Sequence, residues 1–213
     1  NKLTLSLTDD FKYYSDEGLD YVVLPNGKPI TSFYASSGVQ SIMPIDVMTD
    51  YIMGVVGKVV KFSMSDLMNR LMESLDTDVR NEIVHGAHEV TEEELAPIRE
   101  KMKYQSAQLF IEEPEQNLYP DAQRKLVQNL IRHLKAVKSI GKHHSMVVLT
   151  THSPYVLSIL NVLIADAAAV EKKPGDERLK DVVDESTLLP TDAFSAYFIN
   201  KDGVFEDIKD MEI

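Results

Sequence analysis

The sequence predicts an α/β protein in successive parts: a β-hairpin region, a helical subdomain, and strands of a parallel sheet. Three observations carry that prediction. Pro25-Asn26-Gly27 lies between two β-rich runs, residues 20–24 and 28–33, and Asn-Gly in that setting is a strong hairpin signal. From Gln40 the apolar period becomes helical. Two short apolar runs, 108–111 and 146–150, are then separated by an amphipathic segment, as in a strand–helix–strand unit.

The elements follow in order. Phe11-Lys12-Tyr13-Tyr14 predicts a further strand before a turn at 15–18, so residues 1–34 read as an antiparallel β region. Residues 35–105 form the helical subdomain. Its first helix places Ile42, Ile45, Met48, Thr49, Ile52, Val55 and Val56 on one stripe. A second helix over 65–84 carries Leu67, Met68, Leu71, Met72, Leu75, Val79 and Ile83. Thr91 and Glu94 resemble a capping box, and Pro97 argues against one straight helix from 84 to 104. Residues 106–170 are the α/β core. A helix starts at Pro120-Asp121 and runs to about 139, closed by Gly141, and a last helix is capped by Ser153 with Pro154 at its first position. Residues 171–213 read as a charged loop and a closing hairpin, 196–200 and 204–208, around Lys201-Asp202-Gly203.

Composition narrows the function. With 44% hydrophobic and 26% charged residues over 213 positions, the chain suits one folded domain and is not intrinsically disordered. The absence of cysteine excludes disulfides and thiolate metal sites, and a cytoplasmic location is expected. No uninterrupted apolar run reaches the length of a membrane span, so no membrane partner is expected. A net charge of -12 makes the chain a poor general binder of the phosphate backbone, which leaves room for a local groove or a basic partner.

Three clusters carry candidate chemistry. In Leu109-Phe110-Ile111-Glu112-Glu113-Pro114-Glu115 an apolar strand ends in carboxylates, where α/β sheets place their ligands. One carboxylate there can hold Mg²⁺ and a second can deprotonate a water; taken alone, the cluster is equally a solvated acidic loop. In Thr150-Thr151-His152-Ser153-Pro154 an imidazole sits just before a capped helix, able to bond a phosphate oxygen, or simply structural. In Ala35-Ser36-Ser37-Gly38-Val39-Gln40 small hydroxyl residues precede a helix, an anion site or an ordinary N-cap turn.

Together, their order and spacing over residues 20–165 resemble the C-terminal part of an ABC-type ATPase domain. The likeness is closest to the bacterial AAA family ATPase group, which includes the overcoming-lysogenization-defect (OLD) nucleases and anti-phage systems, and more distantly SMC- and RecF-like ATPases. Ser36-Ser37-Gly38-Val39-Gln40 looks like the signature motif. Glu112-Glu113-Pro114-Glu115 with Asn117-Leu118-Tyr119-Pro120 and Gln123 looks like the Walker B and D-loop segment. Thr151-His152-Ser153-Pro154-Tyr155 looks like the switch-histidine segment.

The resemblance implies ATP and Mg²⁺ as cofactors. Glu112 would act on Mg²⁺, Glu113 would be the general base, and His152 would contact the γ-phosphate. Ser36, Ser37, Gly38 and Gln40 would touch ATP held by the opposite subunit of a homodimer. Val39 and Tyr119 depart from the group's usual residues. A larger departure is that no G-x-x-x-x-G-K-[ST] loop is present. Gly54-Val55-Val56-Gly57-Lys58 and Asn26-Gly27-Lys28 lack its spacing. Because the sequence opens on Asn1, the half carrying that Walker A loop is expected elsewhere, and this chain alone is expected to be inactive.

Two other readings remain: a non-catalytic interaction module with an incomplete nucleotide site, and a metal-dependent hydrolase using Glu112, Glu113, Glu115 and His152. DNA or an effector protein is a possible partner of the intact protein. His85 with His88, and His143-His144, read as structural or loop residues. Lys125, Arg132, Lys135 and Lys138 read as the solvated face of their helix. A nuclease activity in this chain is not expected, since no further catalytic segment follows the histidine cluster.

Overall fold

The computed structural model describes residues 2–7, 10–138, 140 and 143–208. Asn1 and the expected helix end at 139 and 141 lie outside the described residues. The first sheet is an antiparallel meander of β1 (Leu3–Thr4), β2 (Lys12–Asp16), β3 (Leu19–Val23) and β4 (Pro29–Thr31), in that order. Asp16 pairs with Leu19 across Glu17 and Gly18, whose φ values of 47° and 79° give the double left-handed turn that matches strand twist. The β3–β4 turn is built differently from the expectation. Only Gly27 takes positive φ, at 80°. Asn26 instead accepts a hydrogen bond from Lys28 N at 3.0 Å, while Gly27 N donates to Leu24 O at 2.8 Å.

The inner face of this sheet buries Val22 with Leu5 against Val39 of the next helix, α1 (Ser37–Gly54). That helix begins three residues before Gln40, because Ser36 is already its N-cap. Its buried stripe is Val39, Ile42, Asp46, Thr49 and Met53, and Met48 is 51% exposed. Of the expected stripe Ile42, Thr49 and Val56 are buried and Ile45 and Ile52 pack against the same core, while the buried face also takes in a carboxylate. Asp46 accepts bonds from Ser6 N at 2.7 Å and from Asn129 Nδ2 at 3.0 Å. Burial pushes its carboxyl above the ordinary range, and the bonds from Ser6 and Asn129 pull against that rise.

Past α1, Gly57 takes φ 78° and donates to Tyr104 O at 2.8 Å. Tyr104 N returns to Lys58 O at 3.0 Å, and Val59 bridges Lys103. Gly54 to Lys58 is therefore a helix end and a two-legged neck. The neck carries an arm of α2 (Met64–Ser74), α3 (Thr77–Val84) and α4 (Glu92–Lys101), which packs its own core of Leu67, Leu71, Leu95, Ile98 and Met102. The expected single helix over 65–84 is two. Leu75 is extended, and Arg80 Nε caps its carbonyl at 2.7 Å. The Thr91–Glu94 capping box is present, and Pro97 lies inside the short α4.

The α/β core follows: β5 (Gln108–Glu112), α5 (Pro120–Lys138), β6 (Met146–Thr150) and α6 (Pro154–Lys172). β5 and β6 are parallel, with Glu112 opposite Thr150. α5 buries Leu126 and Leu130 against Ile42, Met53 and Leu109, and buries Val127 and Ile131 against Val156 and Leu163 of α6. α6 is long and apolar enough to cross a membrane by length and composition alone, with 11% of that stretch buried. The basic face of α5 stays partly open to solvent, with Arg132 and Lys138 exposed, but several of its residues have partners. Arg132 pairs with Asp184 at 2.8 Å, Lys135 reaches Glu185 O at 2.8 Å, and Lys125 pairs with Asp121 at 3.0 Å. The expected charged loop contains α7 (Glu177–Lys180) and two 3-10 turns before the hairpin of β7 (Tyr197–Ile199) and β8 (Phe205–Asp207).

Candidate active site at the carboxyl ends of the parallel strands

β5 and β6 end side by side, so the two loops that follow them meet. Register places Glu112 and Thr150 as the last paired residues. Glu113 N donates to Thr150 O at 2.8 Å, which continues the pairing one residue beyond the strand. The backbone of Glu113 then turns left-handed, at φ 44°. A glutamate rarely takes this conformation, and residues held there cluster at functional sites.

Its side chain faces the second loop. Glu113 Oε2 accepts from Gln116 Nε2 at 2.5 Å. Glu113 Oε1 lies 3.2 Å from His152 Nε2, and the His152 side chain is 88% exposed. A carboxylate and an imidazole thus share one open edge. Glu112, the last residue of β5, is exposed.

Glu115 binds the two loops together. Its Oε1 accepts from Thr151 Oγ1 at 2.7 Å, from His152 N at 2.9 Å and from Ser153 N at 3.1 Å. Its Oε2 is buried, with no hydrogen-bond partner among the described residues. Burial alone would raise this carboxyl, but the bonds from Thr151, His152 and Ser153 outweigh it and hold Glu115 below the ordinary range. Deeper still, Ser153 Oγ donates to Gln123 Oε1 at 2.7 Å, and Gln123 Nε2 donates to Leu118 O at 3.0 Å. Ser153 Oγ also accepts from Tyr155 N at 3.2 Å as the N-cap of α6.

The third cluster reaches the same loop from the other side. Asn117, with φ 59°, donates from Nδ2 to Ser41 Oγ at 3.1 Å. A Cβ on Gly38 would stand 3.3 Å from Asn117 O, so this glycine permits a close backbone approach. Ser36 and Ser37 are exposed at the α1 N-terminus. Gln40 is occupied differently: its Nε2 donates to Ser32 O at 3.1 Å and to Phe33 O at 2.8 Å. It holds the 3-10 turn Ser32–Tyr34, which presents Phe33 and Tyr34 at 79% and 77% exposure.

The structure therefore brings Glu113 with His152 and joins Gly38 to their loop through Asn117, and it leaves Glu112 exposed at the end of β5. Reading the sequence gave Glu115 no part in an ATPase site and missed the pairing of Gln116 with Glu113. The signal for the pairing was an amide three residues after Glu113 in a loop. Glu115 gave no comparable signal, because its partners lie 36 to 38 residues away.

Residues 85–157 match a family model described as an AAA ATPase domain. The stretch covers about a third of the chain; it contains Glu112, Glu113, Glu115 and His152, and stops short of Ser36–Gln40. No curated protein matches the chain, and no solved structure does. Across β5, α5, β6 and the start of α6, the chain is similar to a nucleotide-binding, ATPase-type domain.

Proposed function

We propose that this chain carries the hydrolytic portion of an ABC-type ATPase site, of the kind found in OLD-like and SMC-like proteins. The observation that carries the reading is the meeting of Glu113 and His152, 3.2 Å apart, at the ends of adjacent parallel strands. A base poised beside a second proton-bearing group is what attack by water on a phosphoryl centre requires.

The residues fit ATP with Mg²⁺, because Mg²⁺ at such sites takes one or two carboxylates and completes its shell with water and phosphate. Glu112, an exposed single carboxylate at a strand end, would hold it. When bound, Mg²⁺ neutralises charge on the phosphates. Glu113 accepts the proton of the attacking water, its backbone fixed by Thr150 O and its side chain by Gln116. His152 Nε2 donates toward the phosphoryl oxygen. Ser36, Ser37 and Gly38, at the N-terminus of an 18-residue helix, offer N–H and O–H donors to ATP on a second subunit. Gln40 keeps the preceding turn in place rather than touching phosphate.

On this reading the phosphate-cradling loop comes from a segment or chain outside these 213 residues, two such sites close as a homodimer, and the motion drives an effector or DNA. ATP supply suits a cytoplasmic setting. The rival reading, an interaction module with an incomplete nucleotide site, is favoured by the structural use of both Gly-Lys pairs, in the neck and in the hairpin turn. A protein-only metal centre is not favoured: no group of three or more metal-capable side chains converges among the described residues.

The test is Glu113→Gln in the natural polypeptide with its phosphate loop. Steady-state ATP turnover is expected to fall about 10²–10⁴-fold with ATP retained. Unchanged turnover would remove Glu113 from this role. The 213-residue chain alone is expected to bind ATP negligibly by calorimetry, and tight binding would sink the need for an outside loop.

A further inference from the structure

We infer that Glu115 is a positioning residue that sets where His152 stands, by holding the backbone of the loop after β6 against the loop after β5. The inference rests on the ATPase reading of that site and adds a residue to it.

The argument starts from His152. Its side chain is 88% exposed, and its recorded partner is Glu113, a group that must itself be free to work on water. A side chain with so little packing is placed by its backbone. At that backbone Glu115 Oε1 gathers the Thr151 hydroxyl and the His152 and Ser153 amides within 2.7–3.1 Å, and it is the acceptor for the His152 amide, while Ser153 N also reaches Thr151 Oγ1 at 3.0 Å. Three donors on one carboxylate oxygen are charge-assisted, and they are short and directional for that reason.

The other oxygen, Oε2, is buried without a partner among the described residues. An apolar contact between the loops would hold them at lower cost but would leave the His152 amide free to swing. Around this point the scaffold is rigid: Ser153 is locked to Gln123, and Gln123 to Leu118 of the first loop. Glu115 is therefore the one charged link in a two-point clamp, and it lies on the side nearest the imidazole.

The test compares Glu115→Ala and Glu115→Gln. In this chain, amide hydrogen exchange is followed by NMR. Glu115→Ala is expected to speed exchange at His152 and Ser153 at least about tenfold while α5 amides keep their protection. Glu115→Gln keeps an acceptor oxygen and is expected to restore most of that protection. In the natural polypeptide, Glu115→Ala is expected to lower kcat for ATP about 10²-fold with KM unchanged, as misplacement of a reacting group does. The Gln variant is expected to recover most of kcat.

Unchanged exchange at His152 in Glu115→Ala overturns the inference, and so does unchanged kcat. If the Ala variant also loses α5 protection, the Gln variant decides: native α5 protection with native His152 exchange and kcat supports the acceptor role, and native α5 protection with kcat still collapsed overturns it. A wild-type polypeptide that hydrolyses no ATP defeats the ATPase reading, while the exchange comparison still decides what Glu115 does.

Discussion

Two regions of this protein bend the backbone left-handed, and they do it with different residues. In the first sheet the positive-φ positions are Glu17 at 47°, Gly18 at 79° and Gly27 at 80°, so two of the three are glycine and the third is an exposed residue of a two-residue hairpin turn. In the loop after β5 they are Glu113 at 44° and Asn117 at 59°. A glycine enters this conformation freely, whereas a residue with a Cβ is disfavoured by about 1–2 kcal/mol. The sheet turns carry only shape. The loop after β5 retains side chains where glycine would relax the backbone, and both side chains have partners: Glu113 meets Gln116 and His152, and Asn117 meets Ser41. In that loop the left-handed positions coincide with paired side chains, whereas Glu17 in the sheet turn is exposed.

The sharpest way to break the comparison is Glu113→Gly. Turnover in the natural polypeptide is expected to drop at least about 10²-fold. Stability is expected to hold, because relief of about 1 kcal/mol of backbone strain offsets about 1 kcal/mol of lost hydrogen bonding. Thermal melts read by circular dichroism check this, and a steep loss of stability would make Glu113 a structural residue. The converse substitution is Gly27→Ala, expected to destabilise by about 1–2 kcal/mol in urea with no effect on the distant loop. A neutral Gly27→Ala would mean that the turn can adopt another form.

Gly38→Ala probes the contact between the regions' neighbours. The added Cβ meets Asn117 O at 3.3 Å, while alanine favours the helix by up to about 1 kcal/mol. Net stability is expected to move by less than that, with NMR shifts at residues 116–118. Shifts confined to α1 would show that the loop does not sense the helix.

The smallest expected effect lies outside both regions. Asp184 is lowered from 3.8 to about 2, by its bond from Ser186 and then by Arg132. Its folded value is depressed, so its contribution is present above the ordinary carboxylate range and is lost as pH falls toward 2. The Arg132–Asp184 pair is partly exposed, which limits the contribution to less than about 1 kcal/mol. Asp184→Asn should cost little at pH 6, and the gap to wild type should close by pH 2. A gap that widens in acid would contradict the assignment.

Local chemistry made much of the fold legible. The Thr91–Glu94 capping box, the Ser153-Pro154 start of α6 and the two apolar runs of the parallel pair are set within a few residues, and each appears as the sequence predicts; the turn after Leu24 lies where expected but with only Gly27 left-handed. What was misread depended on distant partners. The α1 core face includes the unexpected Asp46 because that carboxylate finds Ser6 and Asn129, 40 and 83 residues away. The 65–84 segment breaks where Arg80 caps Leu75. Arg132 and Lys135 of α5 find partners 52 and 50 residues away in the 184–185 segment.

The sequence by itself determined the strand ends, the helix caps and the presence of Glu112, Glu113 and His152 beside them, since residue type and spacing fix backbone preference over a turn or a strand. Only the tertiary structure decided that Glu113 faces His152, that Glu115 holds the second loop, and that Gly38 lies against Asn117. Those relations join residues tens of positions apart. Hydrogen bonds and close approaches of that kind exist only once β5 and β6 are paired and α1 is packed against α5, and no local pattern encodes them.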